Sequence, residues 1–140
     1  HIYVAEMSDD LLGLKGEPVF LFSPTEPYET IAHTDPGGRT FVWNEAPFML
    51  KRNGKYHLMY SANFFASHDY CICAAVSDSP TGNFKKYRRP VATYIKGKVS
   101  GPGHNCVFTS DTGEALCAYH VHTFYDKPSG NRQLFIDKLE

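Results

Sequence analysis

Two stretches of this chain place a titratable side chain at what reads as the mouth of a strand. Asn44-Glu45-Ala46-Pro47 opens the apolar run Phe48-Met49-Leu50, and Ser100-Gly101-Pro102-Gly103-His104-Asn105 opens a later run. An acid and a histidine at neighbouring strand mouths can share one pocket. The chemistry that suits such an acid is proton donation to a leaving group, because burial and a nearby carboxylate can keep a carboxyl protonated toward neutral pH. His120 and His122 alternate along one stretch and would share a strand face. Two imidazoles without a third ligand are a weak basis for a transition-metal site.

The cysteines carry less. Cys71, Cys73, Cys106 and Cys117 contain no CxxC pair, which argues against a zinc knuckle. Cys71 and Cys73 lie two apart in an apparent strand, a poor geometry for a disulfide. Cys106 and Cys117 flank a turn and face each other in only one hairpin register, which the residues alone leave open. We read all four as free buried thiols acting as small hydrophobes.

The elements that must position these groups are set by turn chemistry. Asn53-Gly54 between two apolar runs is a strong hairpin signal, because a type I′ turn needs positive φ at both central residues. Pairing about it sets Leu50 against His57 and Phe48 against Met59. Tyr70 to Val76 reads as a third strand, Ser79-Pro80-Thr81-Gly82 as a turn, and Phe84 to Tyr87 as a short outer strand. The plan then recurs: a strand at 104–109, a turn at Thr112-Gly113, a return strand at 115–123 and a third strand at 132–138. Gly54 and Gly113 lie 59 residues apart, as do Tyr60 and Tyr119. Repeated antiparallel meanders predict an all-β fold, a partial β-propeller with little helix.

Ile2 to Asp10 resembles Ile72 to Ser79, so the chain is expected to start on the third strand of a blade and to end on the third strand of a later one. The expected layout is the end of one blade with its connection at 1–40, one full blade at 41–90 and most of the next at 100–140. About two and a half blades cannot close a ring. The expectation is a single incomplete domain whose open blade edges invite self-association.

Composition excludes several classes. The 140 residues are 42% hydrophobic and 14% aromatic, which suits a packed core. Net charge is −1, giving no electrostatic case for a nucleic-acid or anionic-membrane partner. No apolar run approaches a membrane span, and no signal peptide is visible.

With these residues in place, the chain resembles glycoside hydrolase family 43. Asn44-Glu45-Ala46-Pro47, Met49, Asn53-Gly54-Lys55-Tyr56 and Tyr60-Ser61-Ala62 look like that family's catalytic-acid blade. Val76-Ser77-Asp78-Ser79-Pro80-Thr81-Gly82-Asn83-Phe84 is similar to its recurrent "SDSPTGPF" segment. Gly101-Pro102-Gly103-His104, Tyr119-His120 and Arg132 before Ile136-Asp137 follow in the family's order. The likeness is weakest from Pro18 to Thr40.

The resemblance implies a five-bladed propeller that hydrolyses arabinofuranosyl or xylosyl linkages of plant polysaccharides with inversion. Glu45 matches the general acid. The aspartate base and the aspartate that tunes the acid belong upstream of residue 1, and Asp9, Asp10 and Asp35 lie outside the matching motifs. The isolated chain is therefore expected to be inactive. Ser61, Asn63, His120, Arg132 and Trp43 are expected on the sugar-binding side, with Trp43 also readable as core and Arg132 as a surface charge. Phe64 and Phe65 would lie on the rim. His104 would face the central channel of the full ring, where it can hold an ion such as calcium through waters; no cofactor is otherwise required. The partner is an oligosaccharide or polysaccharide, and an extracellular or periplasmic address fits its degradation. The alternative is a propeller that binds carbohydrate or serves as a scaffold without catalysis.

Overall fold

A computed structural model describes residues 1–140 as eleven strands and one turn of 3-10 helix. β1 (Ile2–Val4) pairs antiparallel with β2 (Val19–Phe22). The 3-10 turn Pro27–Glu29 and the small hairpin β3 (His33–Thr34) and β4 (Thr40–Phe41) follow, within the stretch where the family likeness is weakest. β5 (Asn44–Arg52), β6 (Lys55–Ala62), β7 (Cys71–Ser77) and β8 (Lys85–Lys86) form a four-stranded meander in that order. β9 (Gly103–Thr109), β10 (Ala115–His122) and β11 (Arg132–Lys138) form a three-stranded one.

The hairpin register follows the turn chemistry. Asn53 and Gly54 both take positive φ, 51° and 75°, and Leu50 pairs with His57 and Phe48 with Met59. The period of two then assigns the faces. Leu58, Tyr60, Ala62, Cys71, Cys73 and Ala75 pack with Ile2 and Phe22 of the first sheet. Met59, Ile72 and Ala74 pack with Cys117, Tyr119 and Val121 of the third. The middle sheet is thus buried on both faces, as a propeller blade between two others must be. This is why Cys71 to Ala75 form an unbroken buried run.

A buried carboxylate clips the 3-10 turn that follows the first sheet onto the middle sheet. Glu29, fully buried, accepts from Lys86 Nζ of β8 at 2.5 Å, from the Tyr60 hydroxyl and from the backbone N–H of Thr25 and Glu26. Burial pushes its pKa up, but Lys86, Tyr60 and the two amides together outweigh burial and hold it below the ordinary value. Nothing in the local sequence around Pro27-Tyr28-Glu29 announces this role.

All four cysteines are free, and Cys106 is exposed rather than buried. Cys106 pairs with Ala118, and Cys117 with Val107. That one-residue offset puts the two thiols on opposite faces of the hairpin.

Candidate active site

Glu45 owes its orientation to a bulge in β5. Glu45 pairs with Ser61 and Phe48 with Met59, so Ala46 and Pro47 together stand opposite Tyr60. Ala46 has φ of 50°, a left-handed conformation uncommon for a residue with a side chain. Pro47 brings no N–H to a ladder that is already interrupted. Such bulges re-aim the neighbouring side chain. β9 carries the same device: Gly103 pairs with His120 and Cys106 with Ala118, leaving His104 (φ 52°) and Asn105 opposite Tyr119. Matching the two bulges sets Ala46 on His104, Tyr60 on Tyr119 and Glu45 on Gly103.

Glu45, Ser61 and Ile72 lie side by side across β5, β6 and β7. Ile72 faces the third sheet, and Tyr70, two residues earlier, points the same way. The site therefore lies on the seam between the middle and third sheets. The half-buried Glu45 accepts through Oε1 from the Tyr70 hydroxyl at 2.6 Å. The Tyr70 ring lies against Gly103 and parallel to His120, with centroids 5.7 Å apart and 8° between planes. Burial, and then the bond to Glu45, push the Tyr70 phenol up, so it stays a proton donor. Ser61 is completely buried and accepts the His104 backbone N–H at 2.8 Å.

His120 is a neutral imidazole. Burial first, then the charges of Arg132, His104 and His122, lower its pKa from 6.5 to about 4. Its Nε2 is buried without a protein partner, which disfavours the charged ring further. Beneath it runs a buried chain. His122 Nε2 bonds the Phe65 carbonyl at 2.9 Å, and a carbonyl only accepts, so this nitrogen carries the hydrogen. His122 Nδ1 lies 2.8 Å from the Ser100 hydroxyl, whose oxygen in turn meets His68 Nδ1 at 2.8 Å. The end of β10 and the segment at Ser100 are thereby tied to the loop 63–70, which carries Phe64 and Phe65. Neither this chain nor Tyr70 was singled out from the sequence.

The order of motifs, the paired bulges and the seam carboxylate agree with one family. The sequence model of the glycosyl hydrolases family 43 matches residues 1–140. The chain belongs to glycosyl hydrolase family 43. It is 30% identical over 139 residues to a β-D-galactofuranosidase of Aspergillus niger, covering 99% of this chain and 36% of that protein. It is 30% identical over 130 residues to an extracellular exo-α-(1→5)-L-arabinofuranosidase of Streptomyces chartreusis, covering 88% of this chain and 37% of that protein. A thermostable family-43 glycoside hydrolase superposes with a TM-score of 0.89 at 45% identity, over 99% of this chain and 43% of that one. An α-L-arabinofuranosidase from Lactobacillus brevis superposes with a TM-score of 0.77 at 28% identity, over 97% and 42%. The chain thus spans little more than a third of these curated relatives and under half of these structures. Its antiparallel sheets form part of the family-43 β-propeller fold.

Burial and hydrogen bonding correct two expected sugar contacts. Asn63 is only 1% exposed. Its amide nitrogen bonds the carbonyls of Tyr28 and Asp69, each at 2.8 Å, and its carbonyl accepts from Ile31 N–H. It is a structural clamp with no group free for a sugar. Ser61 is likewise sealed in and acts within the protein. Trp43 is neither core nor a bare platform. It is half-buried in an edge-on cluster with His33, Phe41 and Phe64, and His33 stacks on Phe64 at 3.7 Å. Arg132 is exposed at the start of β11, its guanidinium 5.4 Å from the Phe65 ring centre. His120 and Arg132 are the expected contacts that share the seam with Glu45.

The exposed His104 ring stands 6.3 Å from the His120 imidazole. Calcium takes six to eight oxygens, so an ion beside His104 would need oxygen ligands beyond these two rings. No cluster of three His, Cys, Asp or Glu side chains forms anywhere in the chain. Asp9 pairs with Lys15 at 2.8 Å and Asp35 with Arg39 at 2.8 Å. Asp10 accepts from Ser8 and the Leu12 amide. These three aspartates are held in local surface structure.

Proposed function

We propose that this chain carries the acid side of a family-43 active site, and that the whole protein hydrolyses arabinofuranosyl or xylosyl linkages with inversion. The observation that carries the reading is Glu45 itself: a half-buried carboxyl on a bulge, one oxygen engaged by Tyr70, beside a neutral imidazole. In the proposed step Glu45 gives its proton to the glycosidic oxygen as the anomeric C–O bond breaks, and that oxygen leaves as an alcohol. A water attacks the opposite face of the sugar and gives its proton to a carboxylate base. Acid and base must stand roughly 6.5–9.5 Å apart for that water to fit. The base and the aspartate that tunes the acid are supplied by other blades. The relatives' names support both arms of that proposal: a galactofuranosidase and two arabinofuranosidases on the furanoside side, and an endo-1,4-β-xylanase on the xylosyl side.

The 140-residue chain by itself is expected to turn over neither aryl α-L-arabinofuranoside nor aryl β-D-xyloside. Self-association of the isolated chain belongs to the same proposal. Tyr3 and Phe20 on the first sheet and Leu134 and Ile136 on the third stand open to solvent. The deciding experiment assays the full-length protein on both substrates beside Glu45→Gln. Loss of the acid is expected to cost about 10²–10⁴-fold on a poor leaving group. Unchanged activity would overturn the assignment, and unchanged binding with no turnover in either protein would favour a non-catalytic carbohydrate-binding propeller.

A further inference from the structure

Tyr70 is the one side chain that holds Glu45, and its surroundings leave it a single pose. Its ring is walled by Gly103 on one side, where even a methyl group would stand 2.0 Å from Cε1. His120 lies parallel to it at 5.7 Å. Tyr70 is 1% exposed, and its backbone N–H is tied to the Ser67 carbonyl. The hydroxyl therefore meets Glu45 from a fixed direction, at 2.6 Å.

A phenol has a single hydrogen to give, and Tyr70 gives it to Oε1, which has a consequence for the carboxyl it touches. A protonated carboxyl has one acceptor oxygen and one O–H. The oxygen that receives Tyr70's hydrogen bond is the acceptor, so the O–H falls on the other. We propose that Tyr70 is the positioning residue of the acid: it reserves Oε1 as an acceptor and leaves Oε2 as the oxygen that delivers the proton to the departing sugar oxygen. The proposal rests on Glu45 being the general acid. Gly103 takes part through its size, because at the place matching Glu45 in the third sheet only a residue without Cβ leaves room for the phenol ring.

The test uses the full-length enzyme and two substrates of one sugar: a dinitrophenyl glycoside, whose leaving group departs without protonation, and an alkyl glycoside, whose leaving group needs it. In Tyr70→Phe the ring and its packing stay and only the hydroxyl goes. We expect kcat on the alkyl glycoside to fall by about tenfold with KM little changed, while the dinitrophenyl glycoside loses less than about twofold. Gly103→Ala, which pushes the ring aside, is expected to show the same selective loss. A merely structural role would lower both substrates together, because a smaller folded fraction scales both rates equally, and that outcome would overturn the proposal. Glu45→Gln is run beside them. If it shows the selective loss and both other variants do not, the Tyr70 proposal fails and the acid stands; if Glu45→Gln shows none, the acid reading fails with it.

Discussion

Gly103 stands in the third sheet where Glu45 stands in the middle one, 58 residues earlier, and it is pressed against the ring of Tyr70. The repeat thus uses one backbone position twice, once for Glu45, the proposed acid, and once for the space that Tyr70 needs. We expect Gly103→Ala to destabilise the protein by about 1–3 kcal/mol, the usual cost of overpacking a core. Thermal or urea unfolding checks this. An unchanged midpoint would mean that the Tyr70 ring can step aside.

Glu29 of the 3-10 turn and Lys86 of the middle sheet form a buried pair. Removing one partner leaves a buried charge, so Glu29→Gln or Lys86→Met is expected to cost about 3–5 kcal/mol. The double variant should cost less than the two summed, because neither charge is then stranded. The pH dependence follows from the lowered Glu29 pKa. Its contribution is present above the ordinary value of 4.5 and is lost as pH falls through the lower folded value. Urea titrations at a series of acidic pH values should show a shallower acid limb in Glu29→Gln.

His120 works in the other window. Its folded pKa, about 4, lies below its ordinary 6.5, so between these values the unfolded chain binds the extra proton. Stability should then fall as pH drops from about 6.5 to 4, by at most about 1.4 kcal/mol per pH unit for this one group. His120→Gln is expected to flatten that part of the stability profile relative to the wild type. Parallel profiles for the two proteins would show that His120 charges freely in the fold.

Much was legible in the chain because the signals are local. Asn53-Gly54 sets a turn, the turn sets the register, and the register with a period of two sets which residues share a face; Leu50 opposite His57 needed nothing more. The spacing of Tyr60 and Tyr119 gave the repeat, and the repeat gave the blades. Glu45 was found from its neighbours in sequence. The contacts of the site were not local and could not be read this way. Glu29 is silent until Tyr60 and Lys86, 31 and 57 residues on, close around it. Asn63 reads as a free amide until Tyr28 and Ile31 take up its groups. Whether Cys106 and Cys117 face each other stays open until the register running back from the turn pairs Cys117 with Val107 and Cys106 with Ala118. Sequence alone therefore determined the strand plan and the blade repeat, which follow from spacing along the chain, and the family resemblance singled out Glu45 as the candidate acid. Which groups surround the acid, which polar side chains are already satisfied and which imidazole stays neutral were decided by tertiary structure, because hydrogen bonds and desolvation depend on distances between sheets.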